Sequence, residues 1–280
     1  MPAERIAENL AFINWTVVTG LAVGAFGAVA IGRLRTQATK GFLAFTAGCV
    51  VLVGLLAIAS DLGLPATVST SPVPEQAMFD VPRRVALVAF VVLAAIATVQ
   101  LARGRRATAS LVGGVAAGGA VLVLGAFAWG GGALGGIPLV VQLAVLAAAT
   151  GGVFAAMILG HWYLVTPKLP EGPLVLFARL LLAVVSLQVV LFVAWAATNA
   201  GPGAPAGGPF AVLVGPWALF VWLRLLVGLV FPLVVSWAAV QTARTRSMES
   251  ATGLLYIDVG AVAAGTILAA GLYFGAGLLV

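Results

Sequence analysis

The chain has 280 residues, of which 62% are hydrophobic and only 8% charged, and its mean hydropathy is +1.18. Soluble chains carry about a quarter charged residues, so a soluble enzyme or binding module is excluded. The net charge of +6 does not point to nucleic acid, because the positive residues sit in short loops beside apolar runs, where membrane topology accounts for them.

Apolar runs of roughly 18 residues or more read as membrane-spanning helices. Taken in chain order, the pattern predicts eight: 10–31, 41–60, 85–102, 107–129, 137–165, 173–197, 210–239 and 251–280. Residues 1–280 thus read as a single all-α domain, a polytopic bundle integral to a membrane. No cleavable signal peptide is expected. Glu4, Arg5 and Glu8 precede the first run, which is too long for a signal sequence and is not closed by a small-residue cleavage site. Pro232 is expected to kink the seventh segment and to free a carbonyl one turn earlier.

The connections alternate in character. Arg33, Arg35 and Lys40 follow the first segment; Arg103, Arg105 and Arg106 the third; Lys168 the fifth; Arg244 and Arg246 the seventh. The remaining loops are rich in Gly, Pro, Ser and Thr, and hold only Arg83 and Arg84 as positives. The positive-inside rule places the basic loops in the cytoplasm and both termini outside. Trp15, Trp129, Trp195 and Trp217 fall near the outer ends, and Trp162, Tyr163, Trp237 and Tyr256 near the inner ends, as interfacial belts do. The Ala-, Val- and Gly-rich composition suggests a bacterial plasma (inner) membrane.

One faint repeat is present. Val99-Gln-Leu-Ala-Arg103-Gly-Arg105 resembles Val240-Gln-Thr-Ala-Arg244-Thr-Arg246, Gly32-Arg33-Leu-Arg35 echoes both, and Ala-Thr pairs follow at Ala38-Thr39, Ala107-Thr108 and Ala251-Thr252. Basic loops look alike for topological reasons, so the echo alone does not establish a duplication. Gly20 and Gly24, Gly114 and Gly118, and Gly271 and Gly275 are spaced for close helix contact.

Ionisable groups inside a bilayer are costly and mark candidate sites. His161, the sole histidine, together with Arg179, Asp258, Tyr256 and Trp237, is predicted to lie at one depth near the inner interface. There Arg179 and Asp258 are placed to pair, and the imidazole to bond to either. Such a layer suits the headgroup of a quinone or lipid, or a relayed proton. Arg224 lies near the midplane, with Gln188 and the carbonyl freed by Pro232 as expected partners. Cys49, the sole cysteine, reads as a small buried hydrophobe.

With one histidine and one cysteine, neither a bis-histidine haem nor an iron–sulfur cluster can be ligated within one chain. No metal site, Walker A loop or nucleophile elbow is spelled out. The expectation is a non-catalytic subunit of a larger, respiratory or other energy-converting membrane complex, surrounded by lipid and other membrane subunits and contributing to a quinone or lipid site at the cytoplasmic interface. The alternative is a stand-alone transporter or permease for a small molecule, using Arg224, Gln188, His161 and Asp258.

Overall fold

The computed structural model describes residues 1–65, 71–166 and 169–280; Lys168 lies outside them. It is helical in the manner hydrocarbon demands, since a lipid-exposed backbone must satisfy its own polar groups. A short helix α1 (Pro2–Glu8) precedes α2 (Leu10–Arg35), α3 (Lys40–Leu62), α4 (Asp80–Ala102), α5 (Thr108–Trp129), α6 (Ala133–Val165) and α7 (Gly172–Thr198). Then come α8 (Ala218–Leu225), one π turn (Leu226–Val230), α9 (Phe231–Arg244) and α10 (Met248–Ala276). Among the described residues eight spans are long and apolar enough to cross a bilayer, with α8, the π turn and α9 forming one of them.

Several ends differ from expectation by a few residues, and three of them bear on the site. The seventh span starts at Ala218 rather than at 210, because Gly215 takes a left-handed φ of 97° directly before Pro216, which disfavours a helical predecessor. α10 stops at Ala276: Gly277 turns left-handed, and the amides of Gly277 and Leu278 cap the carbonyls of Tyr273 and Leu272. Residues 278–280 then fold back and are buried. α4 begins at Asp80, five residues before the predicted start, so Arg83 and Arg84 belong to its first turns and not to a loop.

The helices pack as two up-and-down bundles. In the first, α3 and α5 flank α2 while α4 joins α3 to α5; in the second, α6, α7, α9 and α10 close a ring in that order. α6 is the central post. The most apolar stretch of α6 is 72% buried within the protein, against 33–44% for the other spans. It meets α2 at a seam made by small residues. A Cβ added to Gly24 would lie 1.8 Å from the Ala147 carbonyl oxygen, and one added to Gly151 would lie 2.0 Å from the Ala25 nitrogen. Both obstacles are backbone, so neither can yield by a rotamer change. Of the glycines spaced for close contact, Gly24 makes backbone contact; Gly114 instead accommodates the Phe26 ring.

Both termini and the loops before α4, α6 and α8 gather at one end of the bundle, here the terminal end. The loops before α3, α5, α7 and α10 form the other, the basic end.

Replacing Gly151 with Val should therefore part α2 from α6 and cost at least about 1–3 kcal/mol. Gly152→Ala, where an added Cβ meets nothing within 4 Å, should be tolerated. Thermal unfolding of the two variants in detergent, followed by size-exclusion chromatography, checks this; equal midpoints would show that the seam is not tight.

Candidate functional site

Among the described residues, the buried ionisable side chains and the predicted site residues fall in three places. The first is at the terminal end. Asp61, at the close of α3, is fully buried and accepts from Trp15 Nε1 at 2.8 Å, Arg83 Nε at 2.7 Å, Arg83 Nη2 at 3.4 Å and Arg84 Nε at 2.9 Å. Arg83 also donates to Asp80 at 2.9 Å, and its guanidinium lies 4.9 Å from the Trp129 ring centroid and 5.7 Å from that of Trp15. Two walls of aromatic carbon and one shared carboxylate thus hold a cation that is 1% exposed. Trp15 and Trp129 are therefore not belt residues, as their positions suggested, but buried parts of this cluster. Sequence reasoning missed the site because its boundary for α4 left Arg83 and Arg84 in solvent. The available signal was the recurrence of Trp, Asp, Arg and Trp at four neighbouring helix ends.

The second place surrounds Arg224, which is 3% exposed. Its guanidinium donates to Gln188 Oε1 at 2.8 Å, to the Gly228 carbonyl at 3.1 Å and to the Val280 carbonyl at 3.5 Å. Gln188 in turn donates to the Val145 carbonyl at 3.3 Å. The Gly228 carbonyl is available because Pro232, four residues on, has no N–H to offer it, and the π turn accommodates the mismatch. Gly228 and Gly265 also touch beneath the guanidinium: a Cβ on either would fall 2.6–2.7 Å from the other's Cα.

The third is at the basic end, where the predicted layer divides. His161 Nδ1 and the Tyr256 hydroxyl face each other at 3.5 Å. Asp258, fully buried, accepts from Ser236 at 2.6 Å, and its other oxygen has no hydrogen-bond partner among the described residues. Arg179 does not pair with it. α7 packs on α6 and α9 through Phe177, Ala178, Leu181 and Val185, and Arg179 projects away from that stripe, out of the protein. Trp237 also points outward and is 55% exposed.

His161 and Tyr256 stand at a groove of about 540 Å³ between α3, α6 and α10, whose walls include Phe45, Cys49, Phe154, Met157 and Trp162. Gly41 makes room for the Trp162 indole, which a Cβ there would meet at 2.6 Å. Cys49 is half-buried and faces this groove rather than the core. The volume lies in the usual range for small-molecule sites, roughly 300–1,000 Å³, and the composition is typical too: apolar walls with a few converging polar atoms.

Asp61→Asn should take the principal counter-charge from the buried Arg83 guanidinium and cost about 3–5 kcal/mol. Arg84→Gln, at a side chain 41% exposed, should cost under about 1 kcal/mol. Chemical denaturation of the two variants in detergent separates these cases. Arg224→Met should leave the Gln188 and Gly228 oxygens without donors, at about 1–3 kcal/mol for each stranded acceptor. An Arg224→Met protein as stable as the parent would show that its network contributes nothing.

No known protein family, characterised protein or solved structure matches this chain.

Proposed function

We propose that this protein is an integral membrane subunit that holds an amphiphile of the quinone class in the groove between α3, α6 and α10, within a larger energy-converting complex. The observation that carries the reading is the meeting of His161 and Tyr256 at the mouth of an apolar groove. A quinone needs that combination: hydrogen-bond donors for two ring carbonyls, an aromatic wall for the ring and hydrocarbon walls for the isoprenoid tail. A chain with one histidine and one cysteine ligates no cluster or bis-histidine haem of its own. Electrons for a bound quinone would come from a partner subunit, which is why membership in a complex belongs to the proposal. The eight positive residues described around the basic end favour a cytoplasmic position for the groove and an outer position for both termini, in a plasma membrane.

A transporter reading gains less support. It would string Arg224, Gln188, His161 and Asp258 along one path, but these residues belong to three separate sets of bonds.

Cys49 supplies the test. A short-chain ubiquinone added to the protein in detergent should slow alkylation of this single thiol several-fold. His161→Ala and Tyr256→Phe should each weaken that protection, while leaving the thermal midpoint within about 1 kcal/mol of the parent, as expected for exposed side chains. Equal protection by a phospholipid of matching chain length would replace the quinone with a lipid. No protection by either would end the groove reading.

A further inference from the structure

The two bundles occupy matching places. α2, α3, α4 and α5 correspond to α6, α7, α8–α9 and α10, and each helix lies beside the counterparts of its partner's neighbours. Contacts between bundles repeat as well: α5 touches α6 as α10 touches α2, and α2 meets α6 between them. Four crossings separate each helix from its counterpart, so both copies point the same way and the axis relating them lies along the membrane normal. The residues follow suit. The spacing that carries Val99-Gln100 onto Val240-Gln241 also carries Arg103 onto Arg244, Phe90 onto Phe231 and Arg83 onto Arg224. Ala107-Thr108 and Leu111 match Ala251-Thr252 and Leu255 in the same manner.

Arg83 and Arg224 are thus one position seen twice. Both are buried, and each sets a terminal nitrogen on an acceptor from the preceding long helix, Asp61 of α3 or Gln188 of α7. They differ in what fills the space beside them. Next to Arg224, Leu278 and Val280 fold back among Phe192, Val221 and Leu272, and the Val280 carbonyl accepts from the guanidinium. Next to Arg83, at the ends of α3, α4 and α5, lies a cavity of about 250 Å³. Its walls include Phe12, Glu75, Asp80, Arg83, Arg84 and Trp129. Of five guanidinium N–H groups each, Arg83 commits three to Asp61 and Asp80, and Arg84 commits one, among the described residues.

We propose that this cavity binds a small zwitterion. Its carboxylate or phosphate oxygens take the remaining donors of Arg83 and Arg84, as the Val280 carbonyl does in the other half. Its ammonium, a few bonds away, faces Asp80, and the carbon between them rests on Phe12 and Trp129. The cavity wall carries both signs, so an anion alone would meet Asp80 and Glu75, and a cation alone would meet two arginines. A free amino acid and an ethanolamine-phosphate lipid headgroup share this chemistry.

Thermal unfolding of the delipidated full-length protein distinguishes the two sources. Glycine, phosphoethanolamine and dihexanoyl-phosphatidylethanolamine are the probes, with acetate and ethylamine as half-ligands. At least one zwitterion should raise the midpoint while neither half-ligand does. Stabilisation by glycine identifies a free small molecule; stabilisation by the short-chain lipid without glycine identifies a headgroup. Arg84→Gln and Asp80→Asn, which leave Asp61 and Arg83 together, should each weaken the effect about tenfold or more. The proposal is overturned if no zwitterion shifts the midpoint, if acetate alone matches the zwitterions, or if Arg84→Gln retains the full shift.

Discussion

The seam between α2 and α6 is the contact on which the other packing depends. Lipid gives helices no hydrophobic reason to associate with one another, so association in a membrane rests on van der Waals fit and on hydrogen bonds. At Gly24, Ala147 and Gly151 the fit is backbone against backbone, and it joins two four-helix rings that also meet along α5–α6, α2–α10 and, less extensively, α3–α6. Thr150 on α6 and Thr266 on α10 add a 2.9 Å hydrogen bond close by. With α6 fixed to α2, the rims of the two rings define where grooves and charged clusters form.

Charge is handled differently at the two ends. At the terminal end Asp61, Arg83, Arg84 and Asp80 neutralise one another behind tryptophan walls, so that buried cations become part of the framework. At the basic end the arginines and Lys40 stand exposed at helix ends and in loops, and inside lie the Asp258 carboxylate beside Ser236 and, around an apolar groove, an imidazole, a phenol and an indole. Arg224, on the seventh span, is met by an amide side chain and backbone carbonyls. Each arrangement reflects the same cost of leaving a charge without partners in a medium that cannot solvate it.

The helix count was legible because hydropathy over 18 residues is a local signal, and so were both of Arg224's principal partners. Gln188 was the nearest polar side chain at its depth, and Pro232 announces a free carbonyl at Gly228 from chemistry within one turn. The Asp61 cluster was not legible. It joins four helix ends far apart in the chain, and it turns on whether α4 begins at Asp80 or five residues later. Hydropathy reads charged first turns as loop, so that boundary falls where the signal is weakest. The expected Arg179–Asp258 pair fails for a related reason. Helical rise gives a position along the helix, but it says nothing about which way a side chain faces around it. The echo between the Arg-rich loops carried little information alone, and became meaningful when the helices bearing it proved to occupy matching positions.

α6 brings one more consequence. At roughly 1.5 Å per residue, its 33 residues extend about 50 Å, well beyond the roughly 30 Å of hydrocarbon in an ordinary bilayer. The excess must be taken up by tilt or by protrusion, and His161 and Trp162 stand near the end where it emerges. The groove therefore rides up or down against the headgroups as the membrane thins or thickens. Acyl-chain length in the surrounding lipid would thus set how deeply His161 and Trp162 lie beneath the headgroups, and a change in membrane composition would be felt there with no partner carrying the message.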